Sequence, residues 1–178
     1  MAKKFVTTYR EKIGDWGEIV TANALRRANY QVKTQPRGNR IPLVDMVAVA
    51  KGGNITWEVQ VKGTAAKGRF YKLDFSYVRD LLTYIEQQPV DYRMLLAIAN
   101  TAGKHVYFFV DSQIAEIYQR KDERTPHDQL PGSISFGYLA ATRALPLLRQ
   151  EWEEGVAISR AFEMNGDGAY TLPLFDEE

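Results

Sequence analysis

The chain has 178 residues, of which 45% are hydrophobic and 25% are charged, a balance typical of one soluble globular domain with a buried core. It contains no cysteine and two histidines, which excludes disulfides and thiolate chemistry and argues against a zinc site. Any bound metal should therefore be a hard ion held by oxygen. The formal net charge of +1 says little about nucleic acid, whereas the distribution of charge says more.

No apolar run approaches the roughly 20 residues that a membrane-spanning helix requires. The first five residues also lack the apolar segment of a signal peptide. We therefore expect no membrane partner and a cytoplasmic location.

Helical spacing of apolar residues predicts an α-helix over residues 8–29. The same periodicity places Glu18 about 130° from the centre of the apolar stripe, among the solvent-facing positions. Residues 30–33 are expected to form a short strand, followed by a loop rich in Pro, Gly and Arg. The buried stripe of the helix is predicted to contain Ile13, Trp16, Gly17, Val20 and Ala24.

Residues 43–61 are typical of a β-hairpin, with an apolar first strand, a Lys-Gly-Gly-Asn turn and an alternating second strand. Asp45 interrupts the apolar first strand. Glu58, Gln60 and Lys62 share one face of the second strand, because side chains two positions apart point the same way. Strand pairing is expected to bring Asp45 beside Gln60 and Lys62.

The rest of the chain continues the alternation of helices and strands. A continuous apolar run, 94–99, is expected to be a strand covered on both faces. Residues 63–74 are predicted to be a connection and 121–132 a surface loop. The further predicted elements are a helix N-capped by Ser76, a strand at 105–110, a helix at 111–120 and a last helix at 145–162.

This order predicts an α/β fold with a mixed central sheet. The predicted division is a core at 1–120, a C-terminal helical extension at 121–163 that packs on the core, and a mobile acidic tail at 164–178.

Basic residues are concentrated in two segments that flank the hairpin. Residues 19–44 carry five basic residues and no acidic one, and residues 59–73 carry four. Such segments are expected at a phosphate-binding rim, although each single cation is more simply explained as a solvated surface residue. The residues expected to contact nucleic acid are Arg37, Arg40, Thr64, Lys67 and Arg69.

The arrangement resembles the PD-(D/E)xK nuclease superfamily, which includes restriction endonucleases and archaeal Holliday-junction resolvases. Asp45 corresponds to the strand acid and Gln60-Val61-Lys62 to the (D/E/Q)-x-K triplet. Gly17-Glu18 with Leu25 fits the first-helix glutamate pattern. Gln60 replaces the more common acid, a variant that resembles Mrr-like restriction enzymes and defence-associated nucleases.

The resemblance implies a restriction-endonuclease-like αβββαβ core and a DNA endonuclease of restriction, defence or repair type, in many cases a homodimer. It implies Mg²⁺ or Mn²⁺ held by Asp45, Gln60 and Glu18, with Lys62 completing the catalytic set. Such an ion would activate a water and stabilise charge on the phosphate. Glu58 is an alternative carboxylate if the hairpin register differs.

Two other interpretations remain open. Asp45 and Lys62 could form a buried ion pair, although such pairs are weak sources of stability. The chain could also be a nuclease-like module that binds nucleic acid or a protein without catalysis, which the replacement of an acid by Gln60 makes credible.

The C-terminal sequence Thr-Leu-Pro-Leu-Phe resembles the Q-L-x-L-F peptide by which bacterial replication proteins bind the sliding clamp. The resemblance implies that Leu172, Leu174 and Phe175 contact such a partner in an extended conformation. The alternative is an apolar segment that folds back on the protein's own core.

Overall fold

The computed structural model describes residues 6–35, 41–124, 132–165 and 169–171. No helix among these residues is long and apolar enough to cross a membrane. In chain order the elements of the described residues are β1 (Val6–Thr8), α1 (Tyr9–Arg27), β2 (Tyr30–Thr34), β3 (Met46–Ala50), β4 (Thr56–Thr64), β5 (Phe70–Asp74), α2 (Phe75–Glu86), β6 (Tyr92–Asn100), β7 (His105–Val110), α3 (Asp111–Arg124), β8 (Ser133–Gly137), a 3-10 turn (Tyr138–Ala140), β9 (Arg143–Pro146), α4 (Arg149–Asn165) and β10 (Ala169–Thr171).

Six strands form one mixed sheet in the order β2-β3-β4-β6-β7-β9. β4 and β6 are parallel and are connected through β5 and α2, whereas the other neighbouring pairs of this sheet are antiparallel. The elements α1, β2, β3, β4, α2 and β6 follow the predicted αβββαβ order, with β5 added between β4 and α2. The predicted α/β fold, with a mixed sheet flanked by helices, is confirmed.

The sheet carries a hydrophobic core on each face. α1 packs on one face, against alternate residues of β3, β4 and β6. α2 and α3 pack on the other face together with β5 and β8. β6 contributes Leu95 and Ala97 to the first core and Leu96 and Ile98 to the second, which explains its continuous apolar sequence.

α1 begins one residue after its N-cap, Thr8. The Thr8 side chain accepts from the Glu11 amide at 3.4 Å and the Glu11 carboxylate accepts from the Thr8 amide at 2.8 Å, which completes a capping box. The helix ends before Asn29, whose φ of 69° is incompatible with a continued right-handed helix. All five residues of the predicted stripe are buried.

The segment between β4 and α2 differs from the prediction. The predicted connection 63–74 contains the end of β4 and all of β5, which pairs with β8 about 60 residues later in a separate two-stranded sheet. α2 begins at Phe75 with Asp74 as N-cap, and the predicted cap Ser76 lies inside the helix. The partner strand is remote in sequence, so local patterns do not reveal β5.

The predicted helix at 145–162 begins too early. Residues 143–146 form β9, which pairs with β7 at the edge of the sheet, and α4 starts at Arg149. Pro146 suits both a helix start and an edge strand, because neither position needs its missing N–H.

The predicted tail is partly structured: α4 continues to Asn165 and β10 pairs with β1, while residues 172–178 lie outside the described residues. The division at 120 and 163 stays a prediction.

Candidate active site

The β3–β4 hairpin determines where the predicted acid lies. Backbone pairing aligns Met46 with Val59, and the amide of Asp45 donates to the carbonyl oxygen of Val59 at 2.9 Å. Continuing this antiparallel register puts Asp45, immediately before β3, opposite Gln60. Lys62 lies two residues further along β4 and therefore on the same face.

The Asp45 carboxylate is bonded directly to β4. Its Oδ2 accepts from Gln60 Nε2 at 2.5 Å and from the backbone N–H of Val61 at 2.7 Å. Gln60 Nε2 also donates to the carbonyl oxygen of Val61 at 3.2 Å. Since two donors converge on one oxygen and Gln60 is buried, the carboxylate has a defined orientation.

Lys62 shares the electrostatic environment of Asp45. Burial lowers the pKa of Lys62, and the negative charge of Asp45 offsets part of this shift. The Lys62 ammonium lies 4.2 Å from the centre of the Tyr77 ring. Burial raises the pKa of Tyr77, and Asp45 shifts it further in the same direction. An acid, an amide and an ammonium therefore meet on one face of the hairpin.

Lys62 and Tyr77 line a cleft of about 500 Å³. Its walls come from the first turns of α1, the end of β4, β5 and the start of α2. Three cationic side chains and one carboxylate line it, a balance that favours an anionic ligand such as a phosphate group. The polar lining residues are Arg10, Lys62, Tyr71, Lys72, Asp74 and Tyr77.

Several of these lining residues were not predicted as site residues. Arg10, Gly14 and Gly17 follow one another at helical spacing, and glycines within a helix often mark close packing. A Cβ on Gly17 would lie 3.1 Å from the Cα of Gly63, so α1 does approach β4 closely. This spacing is a signal that could have identified Arg10. The lining residues from β5 and the start of α2 carry no comparable signal.

Glu58, the alternative carboxylate, is buried under α2 and does not line the cleft. The Tyr84 hydroxyl donates to its Oε1 at 3.0 Å, whereas Oε2 has no hydrogen-bond partner within the described part of the chain. Burial raises the pKa of Glu58, and the bond from Tyr84 lowers it in part. Burial and the bond to Glu58 raise the pKa of Tyr84 to about 12.

Glu58→Gln is expected to stabilise the protein at neutral and alkaline pH but not in acid. Because the folded-state pKa of Glu58 is raised, Glu58 makes its full contribution to the free energy of unfolding below the ordinary pKa of 4.5. That contribution is lost as the pH rises through the folded pKa. Glutamine does not ionise, so the gain should grow with pH, to about 1–3 kcal/mol. Urea denaturation at pH 4 and pH 8 measures it.

Glu86→Gln, a substitution at an exposed position of α2, is the matched control and should change stability by less than about 0.5 kcal/mol. An equal effect of Glu58→Gln at both pH values would contradict the burial of an ionisable Glu58.

Glu18 is partly exposed on α1 and lines a separate depression of about 380 Å³ with Asp15, Thr34 and Gln35. The backbone N–H of Gln35 donates to the carbonyl oxygen of Asp45 at 3.2 Å, which makes this depression a neighbour of the hairpin. The structure thus brings the three hairpin residues together and places Glu18 in the adjacent depression.

Asp45 and Gln60 are the candidate oxygen ligands for a hard divalent ion. The described residues contain no group of three or more His, Cys, Asp or Glu side chains that could hold a metal ion. The bond between Asp45 and Gln60 brings one carboxylate and one amide together, and Mg²⁺ usually takes one or two carboxylates beside waters and phosphate. Asp45 and Gln60 fit such an ion when the Gln60 side-chain amide is rotated so that Oε1, and not Nε2, faces Asp45.

Three of the residues expected to contact nucleic acid lie in the described part of the chain, namely Thr64, Lys67 and Arg69. Lys67 and Arg69 are exposed, whereas Thr64 is 8% exposed and its hydroxyl accepts from the Ala66 amide at 3.1 Å. Arg37 and Arg40 lie outside the described residues. The predicted clamp-binding residues Leu172, Leu174 and Phe175 also lie outside them, and their role stays a prediction, as does the homodimer.

No model of a known protein family matches the sequence, and the comparison with curated proteins finds no match either. Among solved structures, the chain is similar to Hjc, a Holliday junction resolvase from the archaeal hyperthermophile Archaeoglobus fulgidus. The superposition has a TM-score of 0.49 and a sequence identity of 16%, and covers 78% of this chain and 94% of the resolvase. This similarity carries no argument about function.

Proposed function

We propose that the protein is a metal-dependent endonuclease of the PD-(D/E)xK superfamily that hydrolyses phosphodiester bonds in DNA. The observation that carries the proposal is the convergence of Asp45, Gln60 and Lys62 on one face of the hairpin, beside a cleft with an excess of cations. A purely structural ion pair explains the cluster less well. Buried pairs contribute little stability, and Lys62 lines an open cleft.

Asp45 would supply the charged oxygen ligand for Mg²⁺ or Mn²⁺, and Gln60 a neutral carbonyl oxygen. When bound there, the ion supplies an activated water and neutralises charge that builds up on the phosphate. Glu18, in the adjacent depression, would contribute through a bridging water. Because Gln60 removes one negative charge from the usual set, metal affinity should be lower than in a site with two carboxylates.

The remaining cleft residues would bind and orient the phosphodiester. Lys62, held beside the Asp45 charge and the Tyr77 ring, would donate a hydrogen bond to the attacking water or to a phosphate oxygen. Arg10 and Lys72 would bind non-bridging phosphate oxygens, Arg10 through its planar fork. The lowered pKa of Lys62 makes it a better proton donor than an exposed lysine.

Incubation with supercoiled, single-stranded and branched DNA in the presence of Mg²⁺ or Mn²⁺ tests the proposal. We expect at least one of these substrates to be cleaved internally, and EDTA to prevent cleavage. Gel analysis of end-labelled DNA distinguishes internal cuts from removal of terminal nucleotides. Intact substrates under all metal conditions would rule out the endonuclease.

The second candidate function is a nucleic-acid-binding module that lacks catalysis. The bond from Gln60 Nε2 to Asp45 favours it, because in that orientation the amide turns its donor, not its acceptor, toward the carboxylate. This candidate predicts salt-dependent DNA binding that persists in EDTA, without cleavage in any metal.

A further inference from the structure

A second cavity, of about 410 Å³, lies between the end of β4, the turn that follows β6, and α4. Three cationic side chains line it, and no carboxylate is present among its described lining residues. An indole, small apolar side chains and two hydroxyl side chains supply the rest of its surface. The side chains that define this basic cavity are Ala65, Lys67, Lys104, Trp152, Val156 and Arg160.

The α4 wall of the basic cavity is one face of the helix. Trp152, Val156 and Arg160 are spaced four residues apart and therefore lie one above another. Gly155 lets this helix lie directly against the protein, since a Cβ there would be 2.2 Å from Thr101 Cγ2. The backbone carbonyl of Glu151 also accepts from the buried Trp16 Nε1 at 2.8 Å. The wall is therefore fixed to the core.

Lys104 forms the opposite wall and is held in place by its surroundings. Its φ of 56° lies in the left-handed region that most non-glycine residues avoid. Its carbonyl oxygen accepts from the Leu147 amide at 2.9 Å, and its ammonium lies 4.4 Å from the centre of the Trp152 ring. A cation is thus placed beside a partly exposed aromatic surface.

A cation-lined cavity with an aromatic wall is the combination that binds unpaired nucleotides. The aromatic surface accepts a base of any identity, and the cations neutralise the flanking phosphates. A paired base cannot reach such a surface, because its faces are stacked within the duplex.

We propose that the basic cavity binds an unpaired nucleotide of a single-stranded segment that flanks the phosphodiester held in the cleft. This inference rests on the proposed function, because it assumes that nucleic acid occupies the cleft. Ala65 lies three residues beyond Lys62 along the chain, roughly 10 Å at about 3.3 Å per residue. About three stacked nucleotides span that distance. The base would take the place of the Lys104 ammonium on the Trp152 ring, beside Val156, and Lys104 would move to the phosphates with Arg160 and Lys67.

Fluorescence anisotropy of labelled dT12 in EDTA tests the cation contacts without cleavage. Lys104→Gln combined with Arg160→Gln should weaken binding about tenfold and reduce the slope of log K against log salt by about 1.4, or about 0.7 for each lost contact. Lys51→Gln combined with Arg120→Gln removes the same charges at exposed positions that do not line the cavity and should change neither quantity.

Trp152 variants test the stacking contact. Trp152→Leu should weaken dT12 binding several-fold, Trp152→Phe should restore most of it, and both should bind a duplex of equal length as the wild type does. Circular dichroism confirms that each variant is folded.

Unchanged dT12 binding in the double variant would overturn the proposal. So would equal losses for dT12 and duplex, or displacement of dT12 by poly-glutamate as readily as by unlabelled dT12, which would indicate an acidic peptide as partner. Failure of the proposed function is a separate result, because it appears as absent cleavage in Mg²⁺ while dT12 binding still depends on Lys104, Arg160 and Trp152.

Discussion

Asp45→Asn is expected to lower metal-dependent DNA cleavage at least about 100-fold while leaving the fold intact. Loss of a residue that only supports a metal ligand already costs about 10–100-fold, and Asp45 would be the charged ligand itself. Asparagine has nearly the same shape, and its carbonyl oxygen can still accept from Gln60 Nε2 and the Val61 amide. The change therefore removes charge without removing the hydrogen bonds that hold the hairpin.

Initial cleavage rates in Mg²⁺, with unfolding curves for each variant, measure this effect. Asp80→Asn, which neutralises an exposed acid on α2, is the matched control and should cleave at the wild-type rate. Since the charge of Asp45 raises the pKa of Lys62, the asparagine variant should also shift the pH dependence of any residual activity to lower pH. Undiminished cleavage by Asp45→Asn would exclude the proposed metal site.

The hairpin could be predicted from the sequence because its determinants are local. Asp45 and Gln60 are 15 residues apart and are joined by one tight turn, so the alternation of side chains sets their relation almost completely. The residue pattern also distinguishes the polar face of β4 from its apolar face. Prediction succeeds where the contacts are close along the chain.

The walls of the cleft could not be predicted in this way. Tyr71 reaches the cleft from β5, which pairs with β8, and that partner lies about 60 residues further along the chain. Pairing at such a distance depends on packing in three dimensions, which no short sequence pattern encodes. The same reason explains why the sequence predicts a helix start at residues 145–146, where the structure has the end of β9.

Periodicity and the family resemblance give different expectations for Glu18. Periodicity predicts a solvent-facing residue, and the resemblance implies a metal ligand. The partial exposure of Glu18 in a depression next to the hairpin is compatible with both. Periodicity predicts only whether a side chain faces the core or the solvent. It does not predict which neighbouring strand ends beside the helix.

Gly63→Ala is expected to destabilise the protein by at least about 3 kcal/mol, the upper part of the range for overpacked sites. A Cβ at this position would lie 2.0 Å from the carbonyl oxygen and 2.8 Å from the carbonyl carbon of Ile13. These are backbone atoms of α1, so no side-chain rotation relieves the clash and the helix must move away from β4. Urea denaturation followed by far-UV circular dichroism measures the loss.

Gly14→Ala is the informative control because it adds the same methyl group to the helix that faces Gly63. Apart from its own chain neighbours and helix backbone, no heavy atom of the described residues lies within 4 Å of the added Cβ. Alanine also favours an α-helix over glycine, so this variant should gain about 0.5–1 kcal/mol of stability. A loss of stability for Gly63→Ala and a gain for Gly14→Ala would show that α1 lies too close to the end of β4 for an added methyl group. This is the part of β4 from which Lys62 enters the cleft. A loss of stability below about 1 kcal/mol for Gly63→Ala would mean that α1 does not pack directly against β4, which would contradict the walls assigned to the cleft.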